Sequence, residues 1–293
     1  MKYFERLHPI CSFFYFIAVI LAAMLTMNPA VVTVCFVSGI AFCGMLIGPH
    51  KLLASLAYTL PIMAIIAVTN PIFVHKGKTI LFFMNDNPVT KESLIYGVFA
   101  AMMIASVFYW CRCYSEIMTS DKFIYLFGKA IPKLSLVISM TLAFIPRMRR
   151  KFREIDEAQK ALGIYASESW ADKIRGKMRV LSILLTNSLE SGVDTADSMR
   201  ARGYGLRNRS NYAIYRFTVS DALYLAFTIF CGILTAALII IGTADFSYYP
   251  AISKLEISPL TLTLYIALVL LAGSSIFMEV KENILWRYLR SKI

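Results

Sequence analysis

The sequence predicts an all-α, polytopic helical membrane protein with about six transmembrane helices and a cytoplasmic helical region between the fourth and fifth. Three observations lead there. Hydrophobic residues make up 58% of the 293 residues and mean hydropathy is +0.64, more apolar side chain than one water-soluble core can hide. These residues gather in six runs, each near the ~20 residues that cross a bilayer as a helix. Backbone polar groups in lipid must pair within their own segment, which selects helices.

The first run, 10–27, follows Lys2 and Arg6 and superficially resembles a secretory signal. The next run begins three residues later with no small-residue cleavage site between them, so the first is expected to stay attached as a span. Runs 30–47 and 52–69 follow, separated by His50 and Lys51. Gly44 and Gly48 form a small-xxx-small surface at the end of the second run, suited to close approach of a neighbouring helix in the same chain. Segment 70–88 holds two apolar pieces, too short to cross and too apolar for an ordinary loop, and reads as an outside hairpin or re-entrant piece. Run 94–111 is the fourth span, and runs 222–242 and 260–278 are the fifth and sixth. The division is therefore 1–115 for the first four spans, 116–216 for the cytoplasmic or interfacial helices and 217–293 for the last two.

If all six runs cross, Lys2, Arg6, His50, Lys51, the middle region, Lys281, Arg287, Arg290 and Lys292 share one side. The positive-inside rule makes that side the cytoplasm of a prokaryotic plasma membrane, with both termini inside. Residues 112–216 carry 19 Lys or Arg against 10 Asp or Glu, nine of the twelve net positive charges. A membrane-tethered basic segment of this kind meets anionic headgroups or an acidic protein rather than nucleic acid.

The spans themselves hold no Asp, Glu, Lys, Arg or His. Ion-driven carriers keep such groups at depth, where they bind the ion or polar solute, so a stand-alone channel or secondary carrier is disfavoured. No G-x-x-x-x-G-K-[ST] loop is present; Gly77-Lys78-Thr79 lacks the first glycine and is expected outside. His8, His50 and His75 are scattered over three loops, no paired carboxylates face a cavity, and no Ser or Cys has an evident base, which argues against an enzyme. The six cysteines lack metal-ligand or paired extracellular spacing, and Cys111-Arg112-Cys113 would leave tetrahedral zinc half-ligated.

In the middle region, 134–145 is too short to span and reads as a buried or interfacial helix bracketed by Pro132 and Pro146. Pro146 is expected to open a second, strongly basic helix that ends at Ala161-Leu162-Gly163. A third helix, 173–202, carries apolar Val180, Leu181, Ile183, Leu184, Leu185 and Leu189 on a broad face and ends at Ala201-Arg202-Gly203. The two endings match: Lys160-Ala161-Leu162-Gly163 and Arg200-Ala201-Arg202-Gly203 stand 40 residues apart. Glycine suits the left-handed turn past a helix, and a base in the last turn suits the negative end of its dipole.

Taken with Leu7-His8-Pro9, Asn70-Pro71-Ile72-Phe73, Ile145-Pro146-Arg147, Glu157-Ala158-Gln159 and Ser198 to Gly205, these tips make the chain resemble the transmembrane T component of energy-coupling factor (ECF) transporters. The resemblance runs over nearly the whole chain, and its strings are specific through their order and their placement relative to the spans. It implies a non-catalytic scaffold joining a small membrane-embedded substrate-binding S component to two cytoplasmic ABC-type ATPases, which bind the ATP and magnesium. Uptake of a vitamin or metal ion is then implied. Ala201, Arg202 and Gly203 match the family's second Ala-Arg-Gly motif in full; Ala161 and Gly163 match the first, but Leu162 replaces its arginine. Arginine offers a rigid fork of five donors, whereas leucine can only fill an apolar pocket. The resemblance assigns ATPase coupling to these six residues with Lys160 and Arg200, and an S-component or interfacial face to Leu134, Val137, Ile138, Val180, Leu184 and Leu185.

The rival readings are the permease of a conventional ABC importer, suggested by Glu157-Ala158-Gln159-Lys160-Ala161-Leu162-Gly163 but lacking the Ile-x-Leu-Pro that should follow, and a membrane-bound lipid enzyme, for which no paired-acid motif is present.

Overall fold

The computed structural model describes residues 3–84, 87–128, 131–163, 170–204, 215–253 and 258–290. Lys2, Gly205 and Lys292, used in the sequence reading, lie outside the described residues. The elements run α1 (Tyr3–Arg6), α2 (Pro9–Met24), α3 (Pro29–Ile47), α4 (Pro49–Phe73), β1 (Ile80–Met84), β2 (Asn87–Thr90), α5 (Lys91–Ile117), α6 (Ser120–Gly128), α7 (Pro132–Ala161), α8 (Trp170–Ala201), α9 (Val219–Ile240) and α10 (Pro259–Arg290). Among the described residues five helices, α3, α4, α5, α9 and α10, are long and apolar enough to cross a membrane, and α2 is a shorter apolar helix of 16 residues. The protein is an all-α, multi-pass membrane protein.

Local sequence sets the helix boundaries. Proline stands first in α2, α3 and α4, where its missing N–H costs nothing. His8 Nδ1 accepts from the Ile10 amide and Asn28 Oδ1 from the Ala30 amide, satisfying donors that the first turn leaves open. Gly48, at φ 90°, breaks α3 from α4. It therefore serves as the corner between two helices, and Gly44 alone of the small-xxx-small pair meets a neighbour, Leu52 of α4. A capping box between Thr218 and Asp221 opens α9. Segment 70–88 resolves into the end of α4 and a hairpin: β1 pairs antiparallel with β2 from Ile80↔Thr90 to Met84↔Asn87, with a bulge between Ile80 and Phe82. The hairpin is tied to α5 by Glu92, whose carboxylate accepts from the Thr79 amide and hydroxyl.

The chain divides into two compact units. The first comprises 1–123 and 215–293, the second 124–214.

In the first unit α3 and α4 pack on α5, and α2 and α10 pack on α9. Its centre is aromatic: Phe4, Tyr15, Phe16, Phe42, Trp110 and Tyr224 are all buried and meet at ring-centroid distances of 5.3–6.5 Å, several edge to face. Lipid tails are as apolar as leucine, so these rings hold the spans through close packing and directed contacts rather than escape from water. Trp110 Nε1 donates to the Cys35 carbonyl at 3.0 Å, and the ring leaves space only for a glycine at 39, where a Cβ would stand 3.0 Å from that nitrogen. Closest of all is Gly97 of α5, whose added Cβ would fall 2.5 Å from the Ala67 carbonyl of α4. Lys122, on α6, is buried and donates to the Glu5 carbonyl at 2.8 Å, pinning the N-terminal turn; burial pushes its ammonium below the usual lysine range, opposed by the charge of Glu5.

Candidate functional site

The second unit is built on two long helices, α7 of 30 residues and α8 of 32. The expected break at Pro146 does not occur. Pro146 sits inside a continuous α7, which merges the short apolar helix and the basic helix into one. The backbone groups a proline leaves unpaired in mid-helix bend a helix more often than they end one when both flanks have strong helical sequence.

The two helices pack against each other where α8 buries Gly176, Val180 and Leu184. Lys151 Nζ donates to Asn187 Oδ1 at 2.8 Å, and Ser188 Oγ reaches Met148 Sδ at 3.0 Å. Asp156 and Lys160 of α7 line a pocket with Trp170, Lys173, Ile174 and Lys177 of α8. Rising numbers on one helix thus meet falling numbers on the other, so the pair is antiparallel. The C-terminal tip of α7 lies beside the start of α8, and the tip of α8 lies beyond the opposite end of the crossing.

Both tips close on a glycine at positive φ. After α8, the Arg202 amide donates to Ser198 O at 3.1 Å, Gly203 to Arg200 O at 2.9 Å and Tyr204 to Met199 O at 2.9 Å, with Gly203 at φ 77°. This is a Schellman turn, which consumes carbonyls the last turn would leave bare. After α7, Leu162 donates to Ala158 O and Gly163 to Lys160 O, with Gly163 at φ 74°. Ala161, Leu162, Gly163, Ala201 and Arg202 are exposed, Leu162 to 73%. Lys160 is braced by Asp156 at 2.7 Å one turn back. Among the described residues neither Arg200 nor Arg202 makes an ion pair or side-chain hydrogen bond, so two cationic groups stand in solvent at the α8 tip.

The crossing gives the 40-residue spacing a geometric meaning. Gly163 lies fifteen residues beyond Met148, and Gly203 fifteen beyond Ser188, the two residues in contact. At ~1.5 Å per residue each glycine stands ~22 Å along its helix from that contact, so the two matched tips lie at equal distances from it. Met148, Lys151, Asn187 and Ser188, which make this contact, escaped the sequence reading; the equal offset of the two motifs was the one signal that could have found them.

The apolar face divides. Leu134, Val137, Ile138 and Leu185 are exposed and available to a partner. Val180 and Leu184 are not: they are 0% and 9% exposed and hold α8 on α7, a correction that follows from their sitting on the side of α8 that faces its neighbour. Trp170, Ile174, Met178, Leu181, Leu185 and Leu189, spaced three or four apart, form the exposed stripe of α8. On α7, the stripe that contacts α8 at Met148 continues uncovered through Leu134, Val137, Ile138 and Ile145.

The family model for CbiQ, described as cobalt transport protein, matches residues 5–213, which includes both tips. The chain belongs to this family, the transmembrane T components of energy-coupling factor transporters. It is similar to the energy-coupling factor transporter transmembrane protein EcfT of Listeria innocua serovar 6a, 31% identical over 107 residues, 36% of this chain and 40% of that relative. The EcfT of Streptococcus equi subsp. equi is 24% identical over 187 residues, 59% and 70% of the respective chains. EcfT 1 of Listeria monocytogenes serotype 1/2a is 23% identical over 194 residues, 62% and 72%. The match thus spans less than half of the first relative and about seven-tenths of the other two.

Proposed function

We propose that this chain is the energy-coupling subunit of an ECF-type importer, transmitting ATP-driven movement from two cytoplasmic ABC-type ATPases to a small membrane S component that carries a vitamin or metal ion. The observation that carries the reading is the pair of glycine-closed helix tips at equal distance from one contact between α7 and α8. Two equivalent ATPases need two equivalent attachment points, and an antiparallel crossed pair provides them on a single polypeptide. Arg202, with Arg200 beside it, reaches carboxylates or backbone carbonyls in a groove of one ATPase. Leu162 enters an apolar pocket on the other.

Closure of the ATPases on ATP draws the arms together about the Met148–Ser188 pivot. The exposed stripes of α7 and α8 carry that displacement to the S component, and hydrolysis resets it. In this topology both termini, the tips and the basic middle region face the cytoplasm. The test is purification of the chain from its native membrane with identification of its companions by mass. Two ABC ATPases, alike or different, and a small membrane protein are expected. A chain that hydrolyses ATP or moves solute alone in liposomes would end the reading.

A further inference from the structure

An open groove of about 850 Å³ runs between α9 and α10 in the first unit. Its walls are mostly apolar, with Leu223, Phe227, Leu270, Phe277 and Met278 among them, and Gly273 opens its middle: a Cβ there would meet nothing within 4 Å. The polar groups at its floor, Tyr224 Oη and Ser274 Oγ, satisfy each other at 3.2 Å. Such a slot in a membrane-spanning surface demands an apolar occupant, because neither water nor a vacuum is stable against those walls.

The end of the groove says which occupant. Lys281 is the one charged side chain among the described lining residues; it is exposed, has no ion pair among the described residues, and stands one turn past Met278, where the apolar run of α10 stops. The acids near it are turned away or engaged. Glu282, ~100° round the helix, meets Arg6 at 3.5 Å and the Trp286 indole at 2.9 Å; Glu279 is buried, and Asp221 is held in the α9 capping box. An apolar slot ending in an unneutralised ammonium at headgroup depth is complementary to a lipid with an anionic head. A transmembrane helix of a protein partner would have to bring a carboxylate to the same spot.

We infer that this groove is a phospholipid site, holding one acyl chain between α9 and α10 with the phosphate of an anionic headgroup against Lys281. The leaflet is the cytoplasmic one if the proposed topology holds; the site itself does not depend on it. The lipid fills the seam between the last two spans.

The test uses the full chain without ATPases, so that it stands apart from the coupling reading. Delipidated protein is titrated with phosphatidylglycerol or phosphatidylcholine and bound lipid is counted by native mass spectrometry. Phosphatidylglycerol is expected to be preferred about fivefold, the share one basic residue contributes at a membrane surface, with the preference lost in Lys281→Gln. Gly273→Leu, which fills the slot, is expected to remove the tightest-bound lipid of either kind. Equal binding of both lipids by the native chain overturns the proposal, as does undiminished binding by a folded Gly273→Leu variant. If that variant does not fold, the exposed Lys281→Gln decides alone.

Discussion

At the tips, single residues do different work. Gly203 adopts a backbone angle that costs an L side chain about 1 kcal/mol, so Gly203→Ala is expected to fray the last turn of α8 and leave the rest intact. Hydrogen exchange should then rise severalfold at the amides of Gly203 and Tyr204 with no change in thermal unfolding; a protected turn would show that the glycine is not needed for the cap. Leu162, at φ −76° and ψ 0°, takes a backbone conformation open to L residues just past the helix and is exposed, so Leu162→Arg is expected to leave stability within about 0.5 kcal/mol. If its partner pocket is apolar, an unpaired guanidinium there weakens ATPase capture at least tenfold. Unchanged or stronger capture would show that an acceptor has persisted in the groove. Sequence alone marked both glycines, because capping is local. It misassigned Val180 and Leu184, because an apolar face looks the same whether it meets its own neighbour helix or a partner.

Helices make the unit that moves. Leu184→Ala removes buried side chain from the α7–α8 contact and is expected to cost about 2–3 kcal/mol, loosening the pivot. Spin labels at positions 162 and 202, with the exposed Cys111 replaced, should give a narrow separation of at most ~45 Å, the sum of two ~22 Å arms, and a broad one in the variant. Equal widths would remove the pivot from the account. In the membrane, Gly97→Ala places a methyl 2.5 Å from the Ala67 carbonyl; the helices must separate, at a cost of about 1–3 kcal/mol, readable as a lower unfolding temperature in detergent. The spans were legible from their apolar runs within a few residues at most ends, with α5 and α10 each running well past its run. The continuity of α7 was not, since Pro146 signals a helix start and an interior kink with the same residue, and only the packing against α8 distinguishes them.

For the molecule as a whole, spans without charge, the lack of a nucleotide loop in the sequence and a basic helical middle are what point the sequence reading toward the proposed transmission of force. The contact midway between the tips was hidden: the matched offset of the two motifs hints at it, but which residues of α7 and α8 meet is fixed only by tertiary packing. Everything depends on whether the cationic tip of α8 carries force. The direct measurement is ATP-driven solute uptake by liposomes holding the full complex, with the native chain and with Arg202→Glu at equal membrane levels. Loss of two or three charge-assisted hydrogen bonds together with a reversed charge predicts uptake at least tenfold lower and ATPases that no longer co-purify. Native uptake by the Arg202→Glu complex would contradict the account.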